Sequence, residues 1–262
     1  ILYAPWHLAQ QPGSNIIAAS HTAELAEKFG RRVRNLIVEH SPVLGVGLAP
    51  DSQAAGRWET DHGGEYFAAG VGGAIAGRRA DLVVIDDPIR SREDADSETV
   101  RDKIWDWYKS DLYTRLKPGG RIVLIQTRWH EDDLAGRLLE DMKAGGDQWE
   151  VISLPALAEA DDPLGRSVVQ PLWPEWEDEA NLERKRRAVG ARDWSALYQQ
   201  RPAPADGEYF KKEWLKPYDI VPAVHTMPVY GGSDYAVTAD GGDYTVHVVV
   251  GHVVLHDAVV LE

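Results

Sequence analysis

Apolar positions in this chain fall into two textures: short unbroken apolar runs that end in small polar or acidic residues, and stretches where apolar residues recur every three to four positions. The first texture reads as buried strands and the second as helices with one buried face. Residues 15–20 (NIIAAS) make the first run. Thr22 stands where it can cap a following helix, with Glu24 in its first turn and Leu25, Phe29, Val33, Leu36 and Ile37 along one face to about His40. Residues 41–79 are rich in glycine and turn formers, with alternating stretches at 57–60 and 66–69, which predicts short strands and loops. The run Ala80-Asp81-Leu82-Val83-Val84-Ile85-Asp86-Asp87-Pro88 is a second buried strand that stops in two adjacent carboxylates. Ser97 then caps a helix whose buried face is Val100, Ile104, Trp107, Tyr108 and Leu112, stopped by Pro118-Gly119-Gly120. Residues 121–126 (RIVLIQ) predict another buried strand, closing on Thr127-Arg128-Trp129-His130. A helix over 131–143 with three acids in its first turn follows, and then a strand over 149–154. Strands alternating with helices predict an α/β domain with a doubly wound, mostly parallel sheet.

From Pro171 the texture changes. Residues 171–176 (PLWPEW) form a rigid aromatic connector, followed by two helices at about 178–189 and 192–200, and residues 201–207 (RPAPADG) read as a linker. Beyond it, strand patterns at 228–236, 244–251 and 253–261 surround the turn Asp240-Gly241-Gly242-Asp243. The chain begins at Ile1 rather than Met and closes on Val259-Val260-Leu261-Glu262 in strand-like sequence, which reads as a fragment of a longer polypeptide.

Composition narrows the partners. A formal net charge of −14 argues against a protein that coats nucleic acid by bulk electrostatics. Contact with DNA would have to be local, at basic runs such as Arg184-Lys185-Arg186-Arg187 or Lys211-Lys212, although such runs are more often the solvated face of a helix. With no cysteine, disulfides and cysteine zinc sites are excluded. No run of about 18 apolar residues predicts a membrane span, and no signal-peptide pattern opens the chain.

The acid pair is the strongest chemical feature. Two carboxylates at the carboxyl end of a buried parallel strand sit where open α/β sheets place their ligands. In phosphate-loop NTPases one such Asp supports Mg²⁺ and its neighbour orients water; a strand that merely stops at a polar turn offers the same residues. Ser20, Asp86/Asp87 and Thr127 line up as three strand ends. Thr127, one strand after the pair, fits a γ-phosphate sensor with Arg128 or His130 passing the signal onward, and fits a plain helix cap as well. His247, His252 and His256 are scattered without a partnered carboxylate pattern and support no metal reading.

Several segments resemble the large terminase subunit of tailed bacteriophages: IIAASHTAELAEKFGRRVRNLI, AGRWET, GGAIAGRRADLVVIDDPI, WDWYKSDLYTRLKPGGRIVLIQTRWHEDDLAGRLL and WSALYQQRPAPADGEYF, in the family's order across nearly all 262 residues. The resemblance implies a DNA-translocating ATPase coupled to a ribonuclease H-like endonuclease, which cuts concatemeric phage DNA and pumps it into an empty capsid. It divides the chain into an ATPase domain over 1–170, a helical linker region over 171–224, and the start of a ribonuclease H-like α/β nuclease domain over 225–262. Carried over by residue, it implies that Asp86 holds Mg²⁺ beside ATP and that Asp87, where many relatives have Glu, polarises the attacking water. Thr127 becomes the coupling residue at the nucleotide. Arg78 becomes an arginine finger offered to a neighbouring subunit's γ-phosphate, the alternative being an ion pair with a local acid such as Asp81. Asp234 resembles the first metal-binding Asp of a nuclease that clamps two Mg²⁺ or Mn²⁺ ions roughly 4 Å apart. Asp240 or Asp243 would join it as ligands, or simply make a hairpin turn. Implied partners are double-stranded DNA, a portal protein, a small terminase subunit and further copies in a ring, in the cytoplasm of an infected bacterium.

One departure is large. The phosphate-cradling loop GxxxxGK[ST] occurs nowhere in these residues; in the family it lies upstream of the segment where this chain starts. The expectation is a chain that alone binds ATP weakly and hydrolyses it negligibly. A helicase-like ATPase is the rival reading within the same class, and would lack the Asp234 hairpin. A DNA-binding or assembly module without ATPase chemistry is the rival that the missing loop would predict.

Overall fold

Four parallel strands carry the chemistry-bearing segments. In the computed structural model, which describes residues 1–203, 228–234, 246–253 and 258–261, β1 (Ile16–Ser20) lies between β4 (Glu65–Gly70) and β5 (Ala80–Asp86), and β5 pairs with β6 (Leu116–Ile125), all parallel. An antiparallel hairpin, β2 (Leu48–Gln53) and β3 (Arg57–Thr60), extends the β4 side, giving the order β2-β3-β4-β1-β5-β6. The expected mostly parallel α/β sheet is therefore present. The chain divides into two compact units, Ile1–Glu208 and Tyr209–Glu262.

Period-two alternation sorts the sheet residues between two cores. Ile16, Leu82, Tyr66 and Ala68 face α1 (Tyr3–Gln10) and α2 (Ala23–Leu44), whose Leu8, Val33 and Ile37 are fully buried against them. Ile17, Ala19, Val83 and Ile85 face α4 (Glu98–Asp106), the π-helical turn Trp107–Leu112 and α5 (Leu134–Lys143). Both faces are covered, which is why the strands read as unbroken apolar runs.

Helix ends follow local chemistry. Thr22 and Ser97 cap α2 and α4 as the sequence predicts, each accepting a backbone N–H with its hydroxyl. Helix α2 runs past the expected end at His40, through Pro42, to a left-handed Gly45 (φ 67°). A short helix that the pattern did not predict, α3 (Arg92–Asp96), precedes α4 under a Ser91 cap.

Three expectations are corrected. Pro118-Gly119-Gly120 does not separate a helix from a strand but bulges within β6, where the register to β5 shifts between Ala80 and Leu82. The three acids at 131–133 lie before α5 rather than in its first turn, because Asp133 is its cap. Residues 149–154 form no strand. Val151 and Ile152 are 57% and 72% exposed and pair with no strand. Their neighbours are pinned instead to the end of the helical region, where the Ala156 N–H donates to the Tyr198 carbonyl (2.8 Å) and the Gln200 amide donates to the Leu154 carbonyl (3.0 Å).

That helical region is α6 (Glu179–Asp193) followed by the π-helical turn Trp194–Tyr198. Its two expected helices meet at Gly190, whose φ of 79° and ψ of 172° only glycine adopts readily. In the second unit, β7 (Val229–Asp234), β8 (Val246–Val253) and β9 (Ala258–Leu261) form an antiparallel sheet in that order. No helix among the described residues is long and apolar enough to cross a membrane.

Candidate strand-end acidic site

The strand ends that the sequence singled out converge at the carboxyl edge of the sheet. Register places Ser20, Asp86 and Ile125 abreast on β1, β5 and β6, the edge at which open α/β sheets hold ligands. Asp86 ends β5 half-buried at the mouth of an apolar cavity of about 90 Å³, lined by Ala18, Val84 and Val123 from the sheet with Tyr3 and Phe29 above them. Burial first, and the neighbouring Asp87 charge second, push the Asp86 carboxyl above the usual carboxylate range. Burial, and after it the Asp86 charge, likewise hold the Tyr66 phenol protonated.

Asp87 turns the other way. Its backbone is left-handed (φ 43°), a conformation Asp tolerates better than most residues. In that turn its N–H donates to the Ile125 carbonyl (2.9 Å) and its Oδ1 accepts the Thr127 N–H (2.7 Å). One carboxylate thus joins the ends of β5 and β6. From the other side, His21 Nδ1 lies 3.2 Å from the Asp87 carbonyl oxygen; a carbonyl only accepts, so the ring proton sits on Nδ1 in this contact. His21 escaped the sequence reading. Its position directly after the buried Ser20 was the available signal.

Polar capacity is left over here. Ser20 Oγ and both amide atoms of Gln126 are buried without a hydrogen-bond partner among the described residues. Neither Asp86 nor Asp87 forms a salt bridge there, whereas the acids of the loop after Thr127 do, Asp132 with Arg137 (2.7 Å) and Asp133 with Arg128 (3.0 Å), as does Asp81 with Lys117 (2.7 Å) at the other end of β5. Spare oxygens, an uncompensated acid pair and the cavity make a site suited to a cation with its own anionic ligand. No cluster of three or more metal-ligating side chains occurs among the described residues. Mg²⁺, which takes one or two carboxylates and completes its shell with water and substrate phosphates, fits such a sparse set.

The loop after Thr127 is tied down residue by residue. Arg128 Nε donates to both Asp133 oxygens (3.1 and 3.0 Å), and Asp133 also accepts the Gly136 N–H that opens α5. The Trp129 carbonyl accepts from Arg92 (2.5 Å). His130 Nδ1 accepts the Asp132 N–H (3.0 Å), and burial followed by Arg101 lowers its proton affinity. Asp132 binds Arg101 and Arg137. Of the two residues considered for passing a signal from Thr127, Arg128 is locked into a buried pair and His130 into its own loop.

Arg78 stands apart from the acid pair. It lies eight residues before Asp86, at the amino end of a strand roughly 20 Å long. Its guanidinium pairs with Glu65 (2.5 Å) and lies 3.5 Å over the Phe67 ring. The partner is Glu65 rather than Asp81, which binds Lys117 and the Asn15 N–H. In the second unit, Asp234 is the last residue of β7, in register with Val246, next to Ser233, whose side chain contacts His247 at 2.8 Å. Asp240 and Asp243 lie outside the described residues, as do Lys211 and Lys212.

Fold and site together define an α/β domain with a mostly parallel sheet and an uncompensated acid pair at its carboxyl edge. The chain belongs to the family described as terminase large subunit, T4likevirus-type, N-terminal, whose profile matches residues 2–217. Among solved structures it is similar to the HK97 bacteriophage large terminase, with 17% identity and a TM-score of 0.45, covering 95% of this chain and 52% of that one. It is also similar to the large terminase of a thermophilic bacteriophage, with 13% identity and a TM-score of 0.38, covering 91% of this chain and 52% of the other. The chain spans about half the length of these solved relatives. No curated protein matches it.

Proposed function

We propose that this chain contributes the acidic half of an ATP-hydrolysing site, and that the polypeptide to which it belongs packages phage double-stranded DNA into a procapsid. The observation that carries the reading is the Asp87–Thr127 bond beside an Asp86 that forms no salt bridge among the described residues. Asp86 would hold Mg²⁺, with Ser20 as an available oxygen; the ion supplies charge neutralisation at the phosphates when bound. Asp87 would orient the attacking water, its carboxylate fixed by the Thr127 N–H so that a shift at one strand end is felt at the next. Arg78, held by Glu65, would serve as a finger only toward a neighbouring copy, since it lies at the opposite edge of its own sheet.

The chain contains no GxxxxGK[ST] loop, so the proposal assigns it no phosphate grip of its own. Isolated, it should show weak Mg²⁺-dependent nucleotide binding and negligible turnover. The second unit would begin a ribonuclease H-like nuclease, with Asp234 as its first metal ligand and Asp240 or Asp243 as a candidate second. Double-stranded DNA, a portal protein, a small terminase subunit and a ring of copies are the partners of this reading, in the cytoplasm of an infected bacterium.

The test uses the gene product in which this chain occurs, assayed for DNA-stimulated ATP hydrolysis and, separately, for plasmid cleavage with Mg²⁺ or Mn²⁺. Asp87→Ala should abolish hydrolysis while cleavage persists, and Asp234→Ala should do the reverse. Hydrolysis that survives Asp87→Ala removes the ATPase assignment; cleavage that survives Asp234→Ala removes the nuclease assignment. No hydrolysis in the unsubstituted protein would favour an assembly or DNA-binding module.

A further inference from the structure

We propose that Arg92 is a positioning residue that couples the 127–133 loop to helix α6, so that the helical region moves with the strand-end site. The inference rests on the nucleotide reading of that site only for what drives the motion.

Arg92 opens α3, five residues after Asp87, and its planar fork divides between two distant segments. Nη1 donates to the Trp129 carbonyl (2.5 Å) and Nη2 pairs with Asp193 at the end of α6, while the guanidinium lies 5.3 Å from the Trp129 ring centroid. A guanidinium is rigid, so the two acceptors cannot shift independently without breaking one bond. Trp129 is two residues beyond Thr127, whose N–H is held by Asp87. A continuous chain of contacts therefore runs from Asp87 through Thr127, Trp129 and Arg92 to Asp193.

A second pair with reversed polarity lies beside the first. Arg192 binds Asp96 (2.7 Å), so neighbours 192 and 193 on the helical region contact 96 and 92 on α3. Two attachments fix orientation as well as distance. Both Arg92 and Arg192 keep a buried Nε without a partner among the described residues, a cost accepted for two-point docking. Two residues before Arg192, Gly190 takes its glycine-only conformation. The arm of α6 before Gly190 thus leaves the clasp at an angle set by one residue, the geometry of a hinge next to a fixed anchor.

Hydrogen exchange by mass spectrometry on the whole 262-residue chain tests this. Asp193→Asn, nearly isosteric, should speed exchange at 127–133 roughly tenfold, although those residues lie 60 to 66 positions away, and leave β1 and β5 unchanged. Asp193→Glu should restore protection. Arg92→Lys, which keeps the charge but cannot fork, should loosen 127–133 while 191–198 stays protected. Exchange that rises only around residue 193, with 127–133 as in the wild type, overturns the proposal. Adding Mg²⁺ and ADP at concentrations high enough to saturate a weak site separates this from the nucleotide reading. If the ligand changes neither segment in the wild type but Asp193→Asn still loosens 127–133, the mechanical link stands and the nucleotide reading fails. If the ligand protects 127–133 in both proteins but reaches 179–198 only in the wild type, both stand. Equal protection of 179–198 in both overturns the link.

Discussion

Asp133 should be costly to remove, and its neutral isostere should separate the reasons. Its side chain is fully buried, accepts the Gly136 N–H (2.9 Å) as the cap of α5, and receives Arg128 Nε on both oxygens. Asp133→Ala deletes a cap worth about 1 kcal/mol. It also strands the Arg128 guanidinium, and breaking a buried pair costs about 3–5 kcal/mol, the lower end applying because that side chain keeps 17% exposure. The sum is about 4 kcal/mol, which for a unit of this size lowers the melting temperature by about 8–16 °C. Asp133→Asn keeps an oxygen for the cap and loses only the charge-assisted bond, about 2 kcal/mol or about 4–8 °C. Thermal melts followed by far-ultraviolet circular dichroism at neutral pH measure both. Adding Arg128→Met to Asp133→Asn should recover part of the loss, because no unpaired charge then remains. If Asp133→Ala melts within about 2 °C of the wild type, the loop is not held by this pair and the argument collapses.

Three further outcomes follow from the same geometry. Asp87→Gly should leave the melting temperature nearly unchanged, since relief of the left-handed backbone offsets about 1 kcal/mol for the lost Thr127 bond; a large drop would mean that the carboxylate holds the fold together rather than serving chemistry. Burial and the Asp87 charge raise Asp86 in the folded state. The native protein then keeps a proton that the unfolded chain has released, and stability falls as pH climbs from the unfolded value through the raised one. Asp86→Asn should therefore gain more over the wild type at neutral pH than at about pH 3, and equal gains at both would refute the assignment. At Gly136 an added Cβ would meet the Glu131 carbonyl oxygen at 1.8 Å, so Gly136→Ala should lose at least about 3 kcal/mol or fail to fold, and a wild-type melt would contradict the placement of the loop.

The parts of the fold legible in the sequence are those whose environment is uniform. The strands over residues 16–20 and 80–86 are covered on both faces, so they can only be apolar, and their acids and hydroxyls mark where the cover ends. Residues 149–154 have the same β-branched composition but find no partner strand, and composition cannot report a missing neighbour. The end of α2 was misplaced because Pro42 falls in the last turn, where one lost backbone bond is tolerated before the Gly45 cap. At the site, the acid pair and Thr127 were readable as strand ends. The Arg92–Asp193 pair spans 101 positions, the Glu65 partner of Arg78 comes from another strand, and the left-handed turn at Asp87 depends on the Ile125 carbonyl. Contacts of this kind have no local sequence pattern.

Charge pairing gives the acid pair a meaning that its sequence alone could not. A chain with a net charge of −14 has more acids than bases, and unpaired acids on its surface need no explanation. At the carboxyl edge of the sheet the situation differs, because burial makes every uncompensated carboxylate costly. The protein spends Arg101 and Arg137 on Asp132 and Arg128 on Asp133 in the loop after Thr127, and Lys117 on Asp81 at the opposite end of β5. It supplies none to Asp86 or Asp87 among the described residues, and sets them on successive positions of one strand end, the first toward an apolar cavity and the second into the Thr127 turn. A purely structural strand end would have been more stable with a single Asn or Ser in their place. Retaining two acids there is consistent with a positive charge that arrives from solution, and the pH and Asp86→Asn measurements test the cost of retaining them without any assay of turnover.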